Sequence, residues 1–214
     1  MKLYNYFRST SSYRVRIACN LKGLPYEYVP VHLNRNGGEQ FAADFSSLNP
    51  QQLVPLLIDG TSLISQSLAI IEYLEECYPD VALLPSPSID KVRVRQLSQY
   101  IACEMHPLNN LRVLKYLTGP LQLSAEQRQA WTVHWLTRGL EALERELDGR
   151  AARGKFCFGN TPTMADCCLV PQLYSARRFG VDVEAYPALR AIDAECHTLD
   201  AFQSAHPDRQ PDAE

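Results

Sequence analysis

The sequence predicts two units of different class: an α/β unit over residues 1–79 and an all-α unit over residues 89–214. Three observations predict this. Residues 1–79 alternate short apolar strands with helix-period stretches, in the order β-α-β and then, after a polar loop, β-β-α. Residues 80–88 (DVALLPSPS) are rich in Pro and Ser and read as a connector. Beyond them helical periodicity runs on, with no convincing strand.

Residues 2–6 read as the first strand, with Leu3 on one face and Tyr4 and Tyr6 on the other. A helix with an apolar face of Val15, Ala18 and Cys19 follows within a few residues. It stops at Gly23, suited to the left-handed turn that ends a helix, with Pro25 just beyond. Residues 26–31 (YEYVPV) form a second strand, whose Pro30 points to a sheet edge. A helix-length connection between neighbouring strands marks a parallel pair. Residues 34–50 are polar and rich in Gly and Asn; they read as a mobile flap rather than core, with a short helical patch near residues 40–45. Residues 54–58 and 61–64 flank Asp59-Gly60, a strong hairpin signal. Val54-Pro55 opens the third strand facing the start of the first helix, a place that suits a cis peptide bond, with an ordinary trans proline at a strand start as the alternative. Ser67 is placed to cap a third helix with Leu68, Ile71 and Leu74 on one buried face, ending at Tyr78-Pro79.

In the second half, residues 89–110, 111–117, 124–147, 164–178 and 187–202 favour helices. The clearest start is Thr163-Met164-Ala165-Asp166, a capping box with Asp at its third helical position, which makes Asp166 structural. Trp131, Trp135, Leu136 and Leu140 are expected in the core. Residues 206–214 are polar and contain Pro, and are expected to lie over the surface.

Hydrophobic residues make up 46% of the 214 residues and charged ones 21%, an ordinary soluble composition. A net charge of −3 leaves no global basic field for nucleic acid or anionic membrane, so an anionic ligand needs a local cluster of cations. No apolar run spans a bilayer, and the N-terminus enters a strand without a signal-peptide pattern. The seven cysteines are odd in number, scattered and without a C-x-x-C pair. They point to a reducing cytoplasm and against disulfides or a metal site.

Such a cluster stands at residues 6–19 (YFRSTSSYRVRIAC), between the first strand and the first helix. Ser9, Thr10, Ser11 and Ser12 are flanked by Arg8, Arg14 and Arg16. One hydroxyl is enough to cap a helix, so the run leaves spare donors. Hydroxyls, arginine and a helix N-terminus together favour a bound anion.

This stretch resembles the signature S-S-C-x-W-R-V-R-I-A of the zeta-class glutathione transferases. Further matches are Leu48-Asn49-Pro50, Val54-Pro55, the run from Gln66-Ser67 to Leu74, the Thr163–Asp166 cap, Leu169-Val170-Pro171-Gln172 and Arg178-Phe179-Gly180-Val181-Asp182. The resemblance covers nearly the whole chain. It implies the cytosolic glutathione transferase fold, a thioredoxin-like N-terminal domain followed by an all-α C-terminal domain, assembled as a homodimer. It also implies a glutathione-dependent cis–trans isomerase acting on a small dianionic diketo acid, maleylacetoacetate or maleylpyruvate. Two departures stand out: Ser11 occupies the cysteine's place and Tyr13 the tryptophan's. Ser9 still matches the family's catalytic serine, and glutathione's own thiol is left as the nucleophile.

On that resemblance Ser9 donates to the thiolate, with Thr10 and Ser11 as auxiliary donors. Val54 offers its backbone to the cysteinyl part of glutathione, Gln66 and Ser67 hold the γ-glutamyl carboxylate, and Gln52 is a candidate for the glycyl end. Arg8 and Arg178 are chosen for the substrate's carboxylates, since a planar guanidinium binds a carboxylate through two hydrogen bonds. Adjacent Arg177 is read as the solvent-facing one. His106 stands mid-helix at the expected height of the ligand cleft, with Asn110 one turn on, and bonds either glutathione or a substrate carboxylate. His32, His134, His197 and His206 are isolated and receive no role. Two other readings stay open: a transferase that conjugates small acids or dehalogenates α-haloacids, and a non-enzymatic member of the fold.

Overall fold

Four short strands make one mixed sheet in the order β2-β1-β3-β4: β1 (Lys2–Asn5), β2 (Glu27–Pro30), β3 (Leu56–Asp59) and β4 (Ser62–Ser65). The chain is seen here in a computed structural model that describes residues 1–148 and 154–214. Helix α1 (Thr10–Leu21) connects β1 to β2, which pair in parallel; β1 with β3, and β3 with β4, pair antiparallel. Leu3 sits at the centre, opposite Tyr28 on one side and Leu57 on the other. Pro30 ends the edge strand, where a missing N–H costs no ladder bond. The Val54-Pro55 bond is cis. Strand β3 starts at Leu56, two residues later than expected, since Pro55 has no N–H to offer. Asp59 pairs with Ser62, so the hairpin turns at Gly60-Thr61, with Gly60 in the left-handed region at φ 57°.

The polar segment after β2 differs from the expected flap. It forms two 3₁₀ turns, Arg35–Gly37 and Glu39–Phe41, then α2 (Ala43–Leu48), so the helix lies further along than residues 40–45. Phe45 is buried against Val31 and Leu56, with Tyr4, Leu48 and Val54 packed around it. One inward aromatic in a polar run has no period, so it leaves no mark in the pattern. Helix α3 (Ser67–Cys77) buries Ile70, Ile71 and Leu74. Its N-cap is Gln66, and Ser67 is the first helical residue instead.

By contacts, the chain divides into one unit of Met1–Leu83 with Thr198–Glu214, and another of Leu84–His197. The second is all helical among the described residues: α4 (Ser88–Gln99), α5 (Leu111–Thr118), α6 (Ala125–Asp148), α7 (Met164–Arg178) and α8 (Pro187–Cys196). The single helix expected over residues 89–110 is instead α4, a π-helical turn at Tyr100–Met105 and a 3₁₀ turn at His106–Asn109. Pro107 removes a backbone donor at that point. Every residue of α7 from Met164 through Leu173 is buried, as befits a helix packed between α4 and α8. Its capping box is present: Asp166 Oδ2 accepts from Thr163 N (2.8 Å) and Thr163 Oγ1 (2.9 Å), while Oδ1 accepts from Cys157 N (2.8 Å). Burial pushes the Asp166 carboxyl upward and those hydrogen bonds pull it back. Leu136 and Leu140 are fully buried; Trp131 and Trp135 are half-buried, with Trp131 Nε1 donating to Leu108 O (2.8 Å).

Helix α9 (Asp200–Ala205) separates from α8 and packs on α1 within the first unit, where the sequence pattern assigns residues 198–214 to the helical half. Five cysteines are buried and Cys77 and Cys103 are exposed; none of the seven forms a disulfide. Burial pushes the Cys19 thiol up to about 12, which leaves it inert. Among the described residues no helix is long and apolar enough to cross a membrane, and no group of three or more His, Cys, Asp or Glu is placed to hold a metal.

Candidate active site

The turn between β1 and α1 presents Ser9. Its N–H donates to Tyr6 O (3.0 Å) and its carbonyl accepts from Tyr13 N (2.9 Å). Ser9 is the N-cap of α1, with extended backbone (φ −67°, ψ 116°) and Oγ accepting from Ser12 N at 3.2 Å. A hydroxyl that accepts still carries its own hydrogen, so the cap itself remains a donor. The four hydroxyls are not equivalent. Ser12 is fully buried and its Oγ accepts from Tyr6 N (3.5 Å), Thr10 is buried, and Ser9 and Ser11 are half-buried.

Two residues hold this turn: Arg16, which the sequence places among the cations flanking the hydroxyls but which is spent on protein acceptors, and Asp212, which the sequence pattern did not single out. Arg16 is completely buried; Nη2 donates to Phe7 O (2.9 Å), Nη1 to Asn5 Oδ1 (3.1 Å) and Tyr6 O (3.4 Å), and Nε to Ala205 O (3.0 Å). Burial pulls its pKa down, opposed by Tyr28, Tyr26, Tyr13 and Asp212. Asp212, in the segment expected merely to cover the surface, accepts from Phe7 N (3.1 Å) and from the Tyr28 hydroxyl. Burial, and then that hydrogen bond, push the Tyr28 phenol upward. The available signal for Arg16 was its place between Val15 and Ile17 in an apolar helix; for Asp212 no local signal exists.

The start of α3 supplies a second set of donors. Gln66 has φ 70° and ψ 115°, left-handed backbone at a residue other than glycine. Its Nε2 donates to Gln51 Oε1 at 2.7 Å. Ser67 is buried and accepts from Arg14 Nη1 (3.2 Å), which ties α1 to α3. The Gln66 side chain makes no capping bond to α3, so the first-turn N–H groups at the positive end of its dipole lack that partner. Gln52 is also left-handed (φ 55°), its N–H bonded to Asn49 O at 2.9 Å. The β1–β3 ladder ends at Tyr4 opposite Leu56; its direction brings Val54 to the end of β1, where the Ser9 turn begins.

Arg8 Nη2 donates to the Tyr6 hydroxyl (3.3 Å), and its guanidinium lies 4.8 Å from the Phe7 ring centre. It also pairs with Glu214 Oε2 at 3.7 Å. His32, read as isolated, is buried with its ring edge-on to Tyr6 and Nε2 3.0 Å from Glu214 Oε1. In the other unit, His106 begins the 3₁₀ turn rather than standing mid-helix, and Asn110 caps α5 by accepting from Arg112 N (3.1 Å). Arg178 ends α7, exposed, with its guanidinium 4.8 Å from the Phe179 ring centre. Arg177 is exposed but bound to nearly buried Asp193 at 2.7 Å.

The family model described as "Glutathione S-transferase, N-terminal domain" matches residues 3–82, and that described as "Glutathione S-transferase, C-terminal domain" matches residues 125–192. A maleylpyruvate isomerase from Ralstonia sp. is 50% identical, with all of both chains covered. A holo structure of maleylpyruvate isomerase, described as a bacterial zeta-class glutathione S-transferase, superposes with a TM-score of 0.97 at 50% identity, over 100% of both chains. A maleylacetoacetate isomerase from Methylobacterium extorquens AM1, solved with malonate and glutathione bound, gives a TM-score of 0.95 at 41% identity, again over 100% of both chains.

Proposed function

This chain belongs to the glutathione S-transferase family, in its zeta class, and on that premise we propose how its residues serve a glutathione-dependent cis–trans isomerisation of maleylpyruvate or maleylacetoacetate. The donor set fits the tripeptide. The start of α3, the Gln66 amide and Ser67 on Arg14 suit an amino-acid carboxylate, and the half-buried Ser9 hydroxyl suits a thiolate. Bound glutathione supplies a sulfur nucleophile that adds reversibly to the conjugated double bond, so that the bond rotates and glutathione is regenerated.

The chain's own residues do the rest. Ser9 donates its hydroxyl hydrogen to the sulfur and favours the ionised form, with Thr10 and Ser11 as auxiliaries. Val54 offers backbone groups as a short added strand would. Gln66 and Ser67 hold the γ-glutamyl end and Gln52 the glycyl end. Arg8 binds one substrate carboxylate through its planar fork. Arg178 is assigned to the other, on its match to the family motif. His106 and Asn110 share one turn and contribute polar contacts to glutathione or substrate. Homodimerisation and a reducing cytoplasm complete this reading, on the family's habit and on five buried thiols.

The observation that carries the proposal is Ser9 at the cap of α1, accepting from Ser12 while keeping its own hydrogen. With glutathione limiting, product is expected to exceed one equivalent many times over. A halt at one equivalent would mean that the chain conjugates rather than isomerises, and would overturn the proposal.

A further inference from the structure

Residues 212–214 lie over the turn that presents Ser9, and they bring a carboxylate to the cation proposed to bind substrate. Asp212 anchors them on Phe7 N and the Tyr28 hydroxyl. Two residues on, Glu214 Oε1 meets His32 Nε2 (3.0 Å) and Arg35 Nη2 (3.0 Å), and Oε2 meets Arg8 Nη2 at 3.7 Å. Three cationic or donor side chains from two segments thus converge on one carboxylate.

His32 is built for this. Its Nδ1 accepts from Asn34 N (3.2 Å) and Arg35 N (2.7 Å), so the ring hydrogen sits on Nε2, which lies 3.0 Å from Glu214 Oε1 but makes no well-aligned hydrogen bond to it. The side chain is only 6% exposed, and Glu39 fixes its backbone by accepting from His32 N (2.7 Å). The ring cannot swing away to another partner. Glu214 is different: its side chain is 47% exposed, and its bond to Arg8 is long. Its carboxyl is held below the usual range, first by the Arg35 hydrogen bond and then by His32.

We propose that Arg8, His32 and Arg35 form a carboxylate subsite, occupied by the chain's own Glu214 and contested by a carboxylate of the dianionic substrate. This rests on the assignment of Arg8 to substrate above. A free carboxylate offers Arg8 the short two-bond geometry that Glu214 does not supply. Because Asp212 holds the segment independently, Glu214 can leave while the residues before it stay in place. A tethered competitor of this kind weakens the apparent affinity for the free ligand through its effective concentration.

Malonate, a small dicarboxylate, is the probe, titrated calorimetrically into the glutathione-saturated protein. Glu214→Gln keeps the side chain's shape and removes its charge. It is expected to tighten malonate binding by roughly two- to fivefold, the range of an exposed ion pair. The KM for isomerisation should fall by a similar factor with kcat unchanged. Arg8→Ala is expected to weaken malonate. If Glu214→Gln leaves malonate unchanged or weaker while Arg8→Ala weakens it, the competing carboxylate is wrong and the assignment of Arg8 stands. If Arg8→Ala has no effect, or if wild type and Glu214→Gln alike fail to bind malonate, the subsite and the assignment of Arg8 fall together.

Discussion

Replacing Ser9 by alanine removes two interactions at once, and a second substitution separates them. The first is the cap, Oγ accepting from Ser12 N at 3.2 Å. Losing an N-cap costs about 1 kcal/mol, which in a chain of this size lowers Tm by about 2–4 °C. The second, on the proposed assignment, is the hydrogen donated to the sulfur. A hydrogen bond to a charged group contributes about 1.5–3 kcal/mol, or about one to two pKa units of the bound thiol at ~1.4 kcal/mol each. Ser9→Asp divides the two. Aspartate caps a helix about as well as serine and suits the positive end of the dipole, but once ionised it has no hydrogen to give. Ser9→Ala is therefore expected to lose both stability and thiol acidity, whereas Ser9→Asp keeps Tm near wild type and raises the thiol pKa at least as far. Scanning calorimetry reads the first quantity, and titration of thiolate ultraviolet absorbance on the glutathione-loaded protein reads the second. A wild-type thiol pKa in either variant would refute the reasoning and move the donor to Thr10 or Ser11.

Arg16→Met keeps much of the stem's volume but leaves Ala205 O, Phe7 O, Tyr6 O and Asn5 Oδ1 without their donor. With orphaned buried acceptors costing about 1–3 kcal/mol each and not adding fully, urea unfolding should show a loss of about 3–5 kcal/mol; under about 1 kcal/mol would show that water replaces the guanidinium. His197 is raised above its ordinary value of 6.5, mainly by the Asp193 side chain, whose Oδ1 lies 3.4 Å from Nδ1, and also by the Asp193 backbone carbonyl at 2.8 Å from the same nitrogen. A raised cationic group stabilises fully below its unfolded pKa, and that contribution disappears as pH rises through the folded one. The side chain is 36% exposed, so solvent screening keeps the effect below about 1 kcal/mol. His197→Gln should accordingly lower Tm relative to wild type near pH ~5.5 and much less near pH ~8; an equal deficit at both would contradict the assignment.

Much of the fold was legible because its signals are local. The hairpin's apolar runs, Pro30 at the sheet edge and the Thr163–Asp166 box each state their geometry within a few residues. The Val54-Pro55 bond takes the cis form, one of the two that its place at a strand entry left open. Departures came where a period cannot discriminate. An apolar repeat over residues 89–110 fits an α-helix and a π-helical turn nearly alike, so the break before Pro107 stayed hidden. Gln66 rather than Ser67 stands at the N-cap position of α3, with left-handed backbone that no preference of glutamine announces. Among the four hydroxyls, composition alone could not tell inward Ser12 from half-buried Ser9, since both follow from how α1 is rotated against the sheet.

The rest of the site was hidden for a reason that lies in hydrogen-bond bookkeeping. Strand β1 ends at Asn5, yet Tyr6 and Phe7 are still buried. Their backbone groups therefore lie beyond the reach of the ladder, and buried backbone groups must be paired somewhere. Arg16 takes both carbonyls, from one turn and a half into α1, and Asp212 takes the Phe7 N–H from 205 residues away. Arg16 lies within a window around the turn but its partners do not follow from that window, and Asp212 lies far outside it, because what selects both is the set of groups the sheet leaves over. The same accounting explains why residues 198–214 join the first unit. Ala205 O and Asp212 complete the coordination that holds the Ser9 turn in place, so the position of Ser9 depends on both extremes of the sequence. Local pattern can locate the hydroxyl, but its rigidity is a property of the whole unit.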